Sequence, residues 1–471
     1  MSKTIIGRIR EKQILSQALK SHRSELIAVY GRRRIGKTYL IREFYKNNIV
    51  FGFTGMQSGT RADQIENFMI KLNEVSYEFR KEKPSTWLEA LHLLKVFLSR
   101  IEESEEKKVI FIDEFPWVDS HKSKFLPAFE NFWNDYCTTR DDLIVVVCGS
   151  AASYIIKNII RNKGGLYNRI TRKIKLEPFN LSETEDFLNY KRVRMKRIEI
   201  LKIYMTLGGI PEYLEYVESG DSSVTAIDRI CFEKNAQLEN EFDLVFKSLF
   251  DKGSYHERIV QILAEGKMKG MLRDDIIKEM EVKSGGEFSN RMDELIQSGF
   301  VQKYDSYWNN RKSILYRISD EFCLFHLQFL TKYKGASWKQ LFNKQEYKIW
   351  CGYTFETVCL RHIENVKAAL KCDQIASKNY AWSNIKAQVD IVIDRDDDTV
   401  NLCELKFYND EFTIDETYYK KLLNKATQFQ LATQSRKSIN TVMITTLGVK
   451  SNENSRAILS NEITINSLFE A

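Results

Sequence analysis

The chain has 471 residues, 43% of them hydrophobic and 29% charged, and a formal net charge of +7 at pH 7. At roughly 150 residues per domain, that length implies about three domains with real cores, and the composition excludes a disordered, fibrous or disulfide-built protein. No apolar run reaches membrane-span length and no leader-like segment follows Met1, so a cytoplasmic protein without a membrane partner is expected.

The eight cysteines form no C-x-x-C pair, and Cys148 and Cys403 sit in apolar strand-like runs, the pattern of reduced structural thiols. Cys359-x-x-His362 is half of a zinc pattern without its second half, which favours buried helix residues. The modest positive charge permits nucleic-acid binding without requiring it.

Residues 1–180 alternate strand-like and helix-like segments, with strands expected at 25–30, 49–54, 108–113, 143–149 and 172–177. Such alternation predicts a parallel sheet covered on both faces. Gly31-Arg32-Arg33-Arg34-Ile35-Gly36-Lys37-Thr38 fits the phosphate-loop pattern G-x-x-x-x-G-K-[ST], led in by the apolar run 25–30 and followed by a helical stretch. In that context backbone N–H groups and a helix N-terminus face an anion. Lys37 would reach the β/γ-phosphates and Thr38 would sit on Mg²⁺. The apolar strand ending in Asp113 and Glu114 offers one carboxylate for the Mg²⁺ shell and one to polarise water. A third strand ends at Ser150, placed to feel the γ-phosphate.

Residues 181–250 turn helical and charge-rich, as a lid over the nucleotide would. Residues 251–335 carry a winged-helix pattern. Its third helix holds Phe288, Met292, Leu295 and Ile296 on one face, and 307–312, with Asn309 and Asn310, is the wing tip. Arg291 stands beside Asp293 and Glu294 on the outer face of that helix, so DNA contact and a structural role both remain open. Residues 345–471 return to mixed α/β.

The phosphate loop, Gly7-Arg8, Ile112-Asp113-Glu114-Phe115, Gly164-Gly165-Leu166-Tyr167-Asn168-Arg169 and Gly208-Gly209-Ile210-Pro211 together resemble the archaeal-type ATPase family of the AAA+ superfamily. The resemblance runs along the whole chain. It implies ATP with Mg²⁺ as cofactors, the adenine near Gly7 and Arg8, and a lid whose turn at Pro211 approaches the nucleotide. It also implies an arginine near the γ-phosphate, in cis or from a neighbour in a homo-oligomer, with Arg169 as candidate and Arg172 as competitor. Many relatives use Asn where this chain has Ser150.

Near the carboxy terminus, a strand around 388–393 carries Asp390, and the next, 400–407, carries Glu404-x-Lys406. Residues two apart on a strand share a face, so Glu404 and Lys406 converge and Asp390 can join them. Glu356 on an upstream helix can add a metal contact. Two carboxylates and a lysine suit Mg²⁺-assisted phosphodiester chemistry. The order helix-Glu, strand-Asp, strand-Glu-x-Lys resembles the restriction-endonuclease-like fold, either cutting DNA or keeping only a binding role. Tyr408 and the helix at Tyr418-Tyr419-Lys420-Lys421 could line a phosphate track or form a solvated face.

The expectation is therefore a P-loop parallel-sheet α/β ATPase with helical lid, winged helix and carboxy-terminal restriction-endonuclease-like α/β domain. It would act as an ATP-hydrolysing switch or motor on DNA. The rival is a signalling or assembly ATPase whose carboxy-terminal domains bind partners.

Overall fold

The computed structural model describes residues 4–470 apart from 121, 162–163, 251–252, 267–269, 284 and 309–310. The chain forms two compact units, Met1–Pro178 and Phe179–Ala471. Both are α/β, as the sequence predicts.

In the first unit, β1 (Glu25–Tyr30), β2 (Ile49–Thr54), β3 (Lys108–Asp113), β4 (Leu143–Gly149) and β5 (Arg172–Lys175) form one sheet in the order β2-β3-β4-β1-β5. Every pairing is parallel. The continuous apolar runs exist because both faces are covered, and all seven residues of β4 are buried. Covering helices include Arg61–Val75, Trp87–Ser99 and Phe125–Asp135. Thr60 and Asp63 start the first of these with a reciprocal capping box. Their apolar stripes meet at Trp87, whose ring contacts Phe53, Phe68 and Phe125. Trp87→Ala there would cost about 3–5 kcal/mol. Parallel strands bring their carboxyl ends to one edge of the sheet. The phosphate loop after β1, the carboxylates after β3 and Ser150 after β4 share that edge for this reason.

The second unit begins with helices, among them Leu181–Tyr190, Arg197–Leu207 and Glu241–Leu249. No strand lies between 179 and 250 among the described residues. Beyond them an eight-stranded sheet uses β6 (Met271–Leu272), β7 (Val301–Trp308), β8 (Arg311–Ile318), β9 (Ser377–Ser383), β10 (Gln388–Arg395), β11 (Thr399–Lys406), β12 (Ser438–Thr445) and β13 (Asn461–Thr464). The order is β13-β12-β11-β10-β9-β7-β8-β6. Helix Gly286–Gln297 buries Phe288, Met292 and Leu295, and Ile296 is half-buried. The hairpin β7–β8 follows it, and the expected tip residues Asn309 and Asn310 lie outside the described residues. Parallel pairing of Ser306 with Ala381 makes the hairpin continuous with the carboxy-terminal strands, so segments with separate sequence patterns share one sheet. Among the described residues, no helix is long and apolar enough to cross a membrane.

Candidate functional site

The phosphate loop is shaped by backbone conformations that few residues accept. Gly31 has φ +147°, and a Cβ there would stand 2.2 Å from the Leu176 carbonyl oxygen. Gly36 has φ +88° and starts the helix Lys37–Phe44. Arg34, with φ 69°, is a non-glycine residue in the left-handed region, a cost typical of ligand-binding loops. Arg32 and Ile35 are buried, while Arg33 and Arg34 are half-buried.

Lys37 is buried and donates to the carbonyls of Gly31 at 3.0 Å and Arg32 at 2.8 Å. Burial pushes its ammonium pKa down, opposed by the negative charge of Glu114 and Asp113. Thr38 Oγ1 donates to Asp113 Oδ2 at 2.9 Å. Asp113 Oδ1 accepts from the Glu114 amide at 3.0 Å. Glu114 itself has φ 47°, and its Oε2 accepts from Ser150 Oγ at 3.0 Å. A threonine hydroxyl, two carboxylates and a serine are thus joined around one sheet edge, with the lysine bonded to loop carbonyls close by. These residues could hold a polyphosphate, a divalent cation and a water.

Arg8 is buried and turned onto the protein, donating to the carbonyls of Glu177 at 2.6 Å and Ile35 at 3.1 Å. Gly7 before it has φ 60°. Arg169 is exposed, in a loop anchored by buried Leu166. Arg172, its competitor, donates to Glu25 Oε1 at 3.2 Å. Glu25 begins β1, so Arg172 stands at the opposite end of the strands from the phosphate loop and drops out as a γ-phosphate contact. Pro211, in the second unit, opens the short helix Pro211–Leu214, where its fixed φ and missing N–H are tolerated. Cys359 and His362 are buried. The His362 ring accepts from the Leu181 amide at 3.0 Å, and its Nδ1 lies 2.8 Å from the Val358 carbonyl. Both ring nitrogens are occupied within the protein, and no zinc half-site results.

The second unit carries its own constellation. Residues Ile391 and Cys403 pair across β10 and β11, so the preceding Asp390 faces Glu404 on one side of the sheet. Asp390 sits where the register with β9 shifts between Val389 and Val392, a bulge of the kind that re-aims a side chain. Asp390, Glu404, Lys406 and Glu356 line a single groove of about 1100 Å³. Its floor is ion-paired. Glu404 accepts from Lys425, from Lys406 at 3.0 Å and from the Tyr418 hydroxyl at 2.7 Å. Burial alone would push the Glu404 pKa up, but the two ammonium groups outweigh it and hold it well below the usual carboxylate range. Asp390 Oδ2 accepts from the Leu405 amide at 3.3 Å. Glu356 pairs with Arg317 at 3.1 Å. Among the described residues no group of three or more His, Cys, Asp or Glu is arranged to hold a metal ion. Sequence reasoning passed over Lys425 and Arg317. Lys425 lies seven residues after Tyr418, on the same face of the helix Glu416–Thr433, a face that reads as solvated from the sequence. Arg317 reaches Glu356 across 39 residues of chain, and no local pattern signals it.

Comparison with known proteins bears on this geometry. Residues 6–217 match the family described as the ATPase domain predominantly from Archaea. An uncharacterized protein of Methanocaldococcus jannaschii is 24% identical over 410 residues, covering 83% of this chain and 85% of its own. That similarity extends past the first unit. A Walker-type ATPase of Pyrococcus abyssi is similar in structure at a TM-score of 0.50 and 18% identity, over 69% of this chain and 96% of its own. The ORC2 protein of Aeropyrum pernix is more distant, at a TM-score of 0.43 and 14% identity, over 69% of this chain and 95% of its own. The phosphate loop, its carboxylates and the matched family together support an ATPase domain in the amino-terminal part of the chain.

Proposed function

We propose that the chain is an ATP-hydrolysing switch or motor whose carboxy-terminal unit handles DNA. The observation that carries the reading is Lys37 on the loop carbonyls beside the bonded pairs Thr38–Asp113 and Glu114–Ser150 on one sheet edge. Its donor set fits the ligands. A desolvated lysine and loop amides suit a polyphosphate, and a hydroxyl beside a carboxylate suits Mg²⁺. Thr38 and Asp113 would hold Mg²⁺, which when bound neutralises charge on the phosphates. Lys37 would leave the Gly31 and Arg32 carbonyls for the β/γ-phosphates. Glu114 would orient water and take its proton, while Ser150 fixes the Glu114 carboxylate. Exposed Arg169 suits action across a contact between copies better than within one chain. Mixing Arg169→Ala with Lys37→Ala chains would then restore hydrolysis that neither shows alone.

The DNA reading rests on the groove where Asp390 faces Glu404 beside Lys406. A specific observation favours a degenerate nuclease fold kept for DNA binding: Lys425 and Lys406 already neutralise Glu404. Plasmid DNA incubated with Mg²⁺ or Mn²⁺, with and without ATP, separates the two. Cleavage lost in Asp390→Ala supports a nuclease. DNA-stimulated ATP hydrolysis without cleavage supports the binding role. No response to DNA in either assay rejects both in favour of a signalling or assembly ATPase.

A further inference from the structure

Two motifs find no place in the hydrolysis chemistry: Gly7-Arg8 and Gly208-Gly209-Ile210-Pro211. Each grips one end of the same short piece of chain. In the first unit, the Leu176 amide donates to the Tyr30 carbonyl at 2.8 Å, just before the phosphate loop. Gly31 packs directly on the Leu176 carbonyl, where any Cβ would collide. Arg8 completes this end, with one guanidinium nitrogen on the Ile35 carbonyl inside the phosphate loop and the other on the Glu177 carbonyl. In the second unit, the Phe179 amide donates to the Gly209 carbonyl at 2.7 Å. A Cβ on Gly209 would stand 1.9 Å from the Phe179 carbonyl oxygen, so only glycine lets the backbone pass. The Tyr204 hydroxyl donates to that same oxygen at 2.9 Å.

Only Glu177 and Pro178 separate these anchors. Pro178 fixes its own φ and keeps Glu177 out of the helical region. Pro178 leaves the two-residue connector few free dihedrals. A phosphate loop that shifts around its ligand moves the Ile35 carbonyl, and a buried fork holding both carbonyls ties the two displacements together. Losing one of two bonds to a buried guanidinium is costly, so the fork follows the loop.

We propose that Arg8 is a coupling residue: it reads the phosphate loop at Ile35 and passes the nucleotide state to the Glu177–Pro178 connector, which Gly209 secures on the far side. Arg8 acts through the backbone and touches no reacting atom. The proposal rests on the nucleotide reading above. Arginine is required because only a planar fork spans two carbonyls at fixed geometry.

The test is amide hydrogen exchange at Glu177 and Phe179 in the full chain, with and without a non-hydrolysable ATP analogue and Mg²⁺. Analogue binding is measured in parallel by calorimetry. In the natural chain, exchange at one or both amides changes several-fold on binding. In Arg8→Lys, at an analogue concentration that the parallel calorimetry shows to saturate the variant, the change disappears. Gly209→Ala, which leaves every phosphate-loop residue untouched, binds the analogue and also loses the response. Unchanged exchange in the natural chain despite binding overturns the proposal, as does a full response in Arg8→Lys or Gly209→Ala. Absence of analogue binding by the natural chain contradicts the nucleotide reading itself, a failure distinct from these.

Discussion

The two units each place carboxylates on or just after sheet strands, and they treat the charge in opposite ways. In the first unit Asp113 and Glu114 accept from neutral groups: the Thr38 hydroxyl, a backbone amide and the Ser150 hydroxyl. Lys37 lies near but is bonded to loop carbonyls. In the second unit Glu404 is held by two ammonium groups and a phenol. Neutral donors position a carboxylate without cancelling its charge, which stays available to a cation or a proton. Lysine partners consume that charge, because a buried ion pair must offset its own desolvation. The same residue type at the same kind of position can therefore be chemical equipment in one unit and structural in the other.

The sharpest way to break this contrast is to neutralise one carboxylate in each unit. Glu114→Gln should lower ATP hydrolysis by about 10²–10⁴-fold, the usual worth of a positioned base, with nucleotide affinity retained. Steady-state phosphate release and calorimetry check this. A rate equal to that of the natural chain would remove Glu114 from the reaction. Glu404→Gln should show the reverse profile. Urea unfolding of the second unit should lose about 2–4 kcal/mol, because two lysines are left without their partner and only half-open Lys406 can turn to water. ATP hydrolysis measured without DNA should be unaffected. A stable Glu404→Gln protein that instead loses Mn²⁺ binding would move Glu404 into the chemical class.

Acid sharpens the comparison further. Burial pushes His326 and His362 in the second unit down to about 4. Their folded pKa values lie below the unfolded value of about 6.5. The stability they contribute is present above that pH and lost as pH falls through 4, up to about 3 kcal/mol each. His362 must stay neutral to accept from the Leu181 amide. The second unit should lose stability between pH 6.5 and 4, and His362→Gln should flatten that slope in a pH series of thermal melts. A slope unchanged by the substitution would place the acid sensitivity elsewhere.

The smallest effect concerns the two arginines that follow the Ser150 strand. Arg172→Ala should leave the hydrolysis rate unchanged and cost about 1 kcal/mol, since it removes a partly exposed partner of Glu25. Arg169→Ala should lower the rate only at protein concentrations where copies associate. Equal kinetic effects of the two variants would contradict their different positions.

How much could be read in advance follows the same division. The first sheet was legible because parallel strands buried on both faces are written as unbroken apolar runs, and all five lie where the sequence places them. The joining of Thr38, Asp113, Glu114 and Ser150 followed from strand ends sharing an edge. The pairing of β7 with β9 was not legible, because no local pattern specifies which distant strand covers a hairpin edge. The neutralisation of Glu404 was hidden for a related reason: Glu404-x-Lys406 announces one lysine, while Lys425 arrives from a helix that reads as solvent-facing. Arg8 shows the limit of a motif: the resemblance implies only that it lies near the adenine, and its inward direction depends on the Glu177 carbonyl, 169 residues away.

If the nucleotide reading is right, the 31–38 loop binds ATP through Lys37. Calorimetric titration of Mg²⁺–ATP into the natural chain and into Lys37→Ala, with folding of both verified by thermal melts, tests it most directly. The natural chain should bind saturably and the variant should show no measurable binding. Equal affinity in a folded Lys37→Ala protein would contradict it.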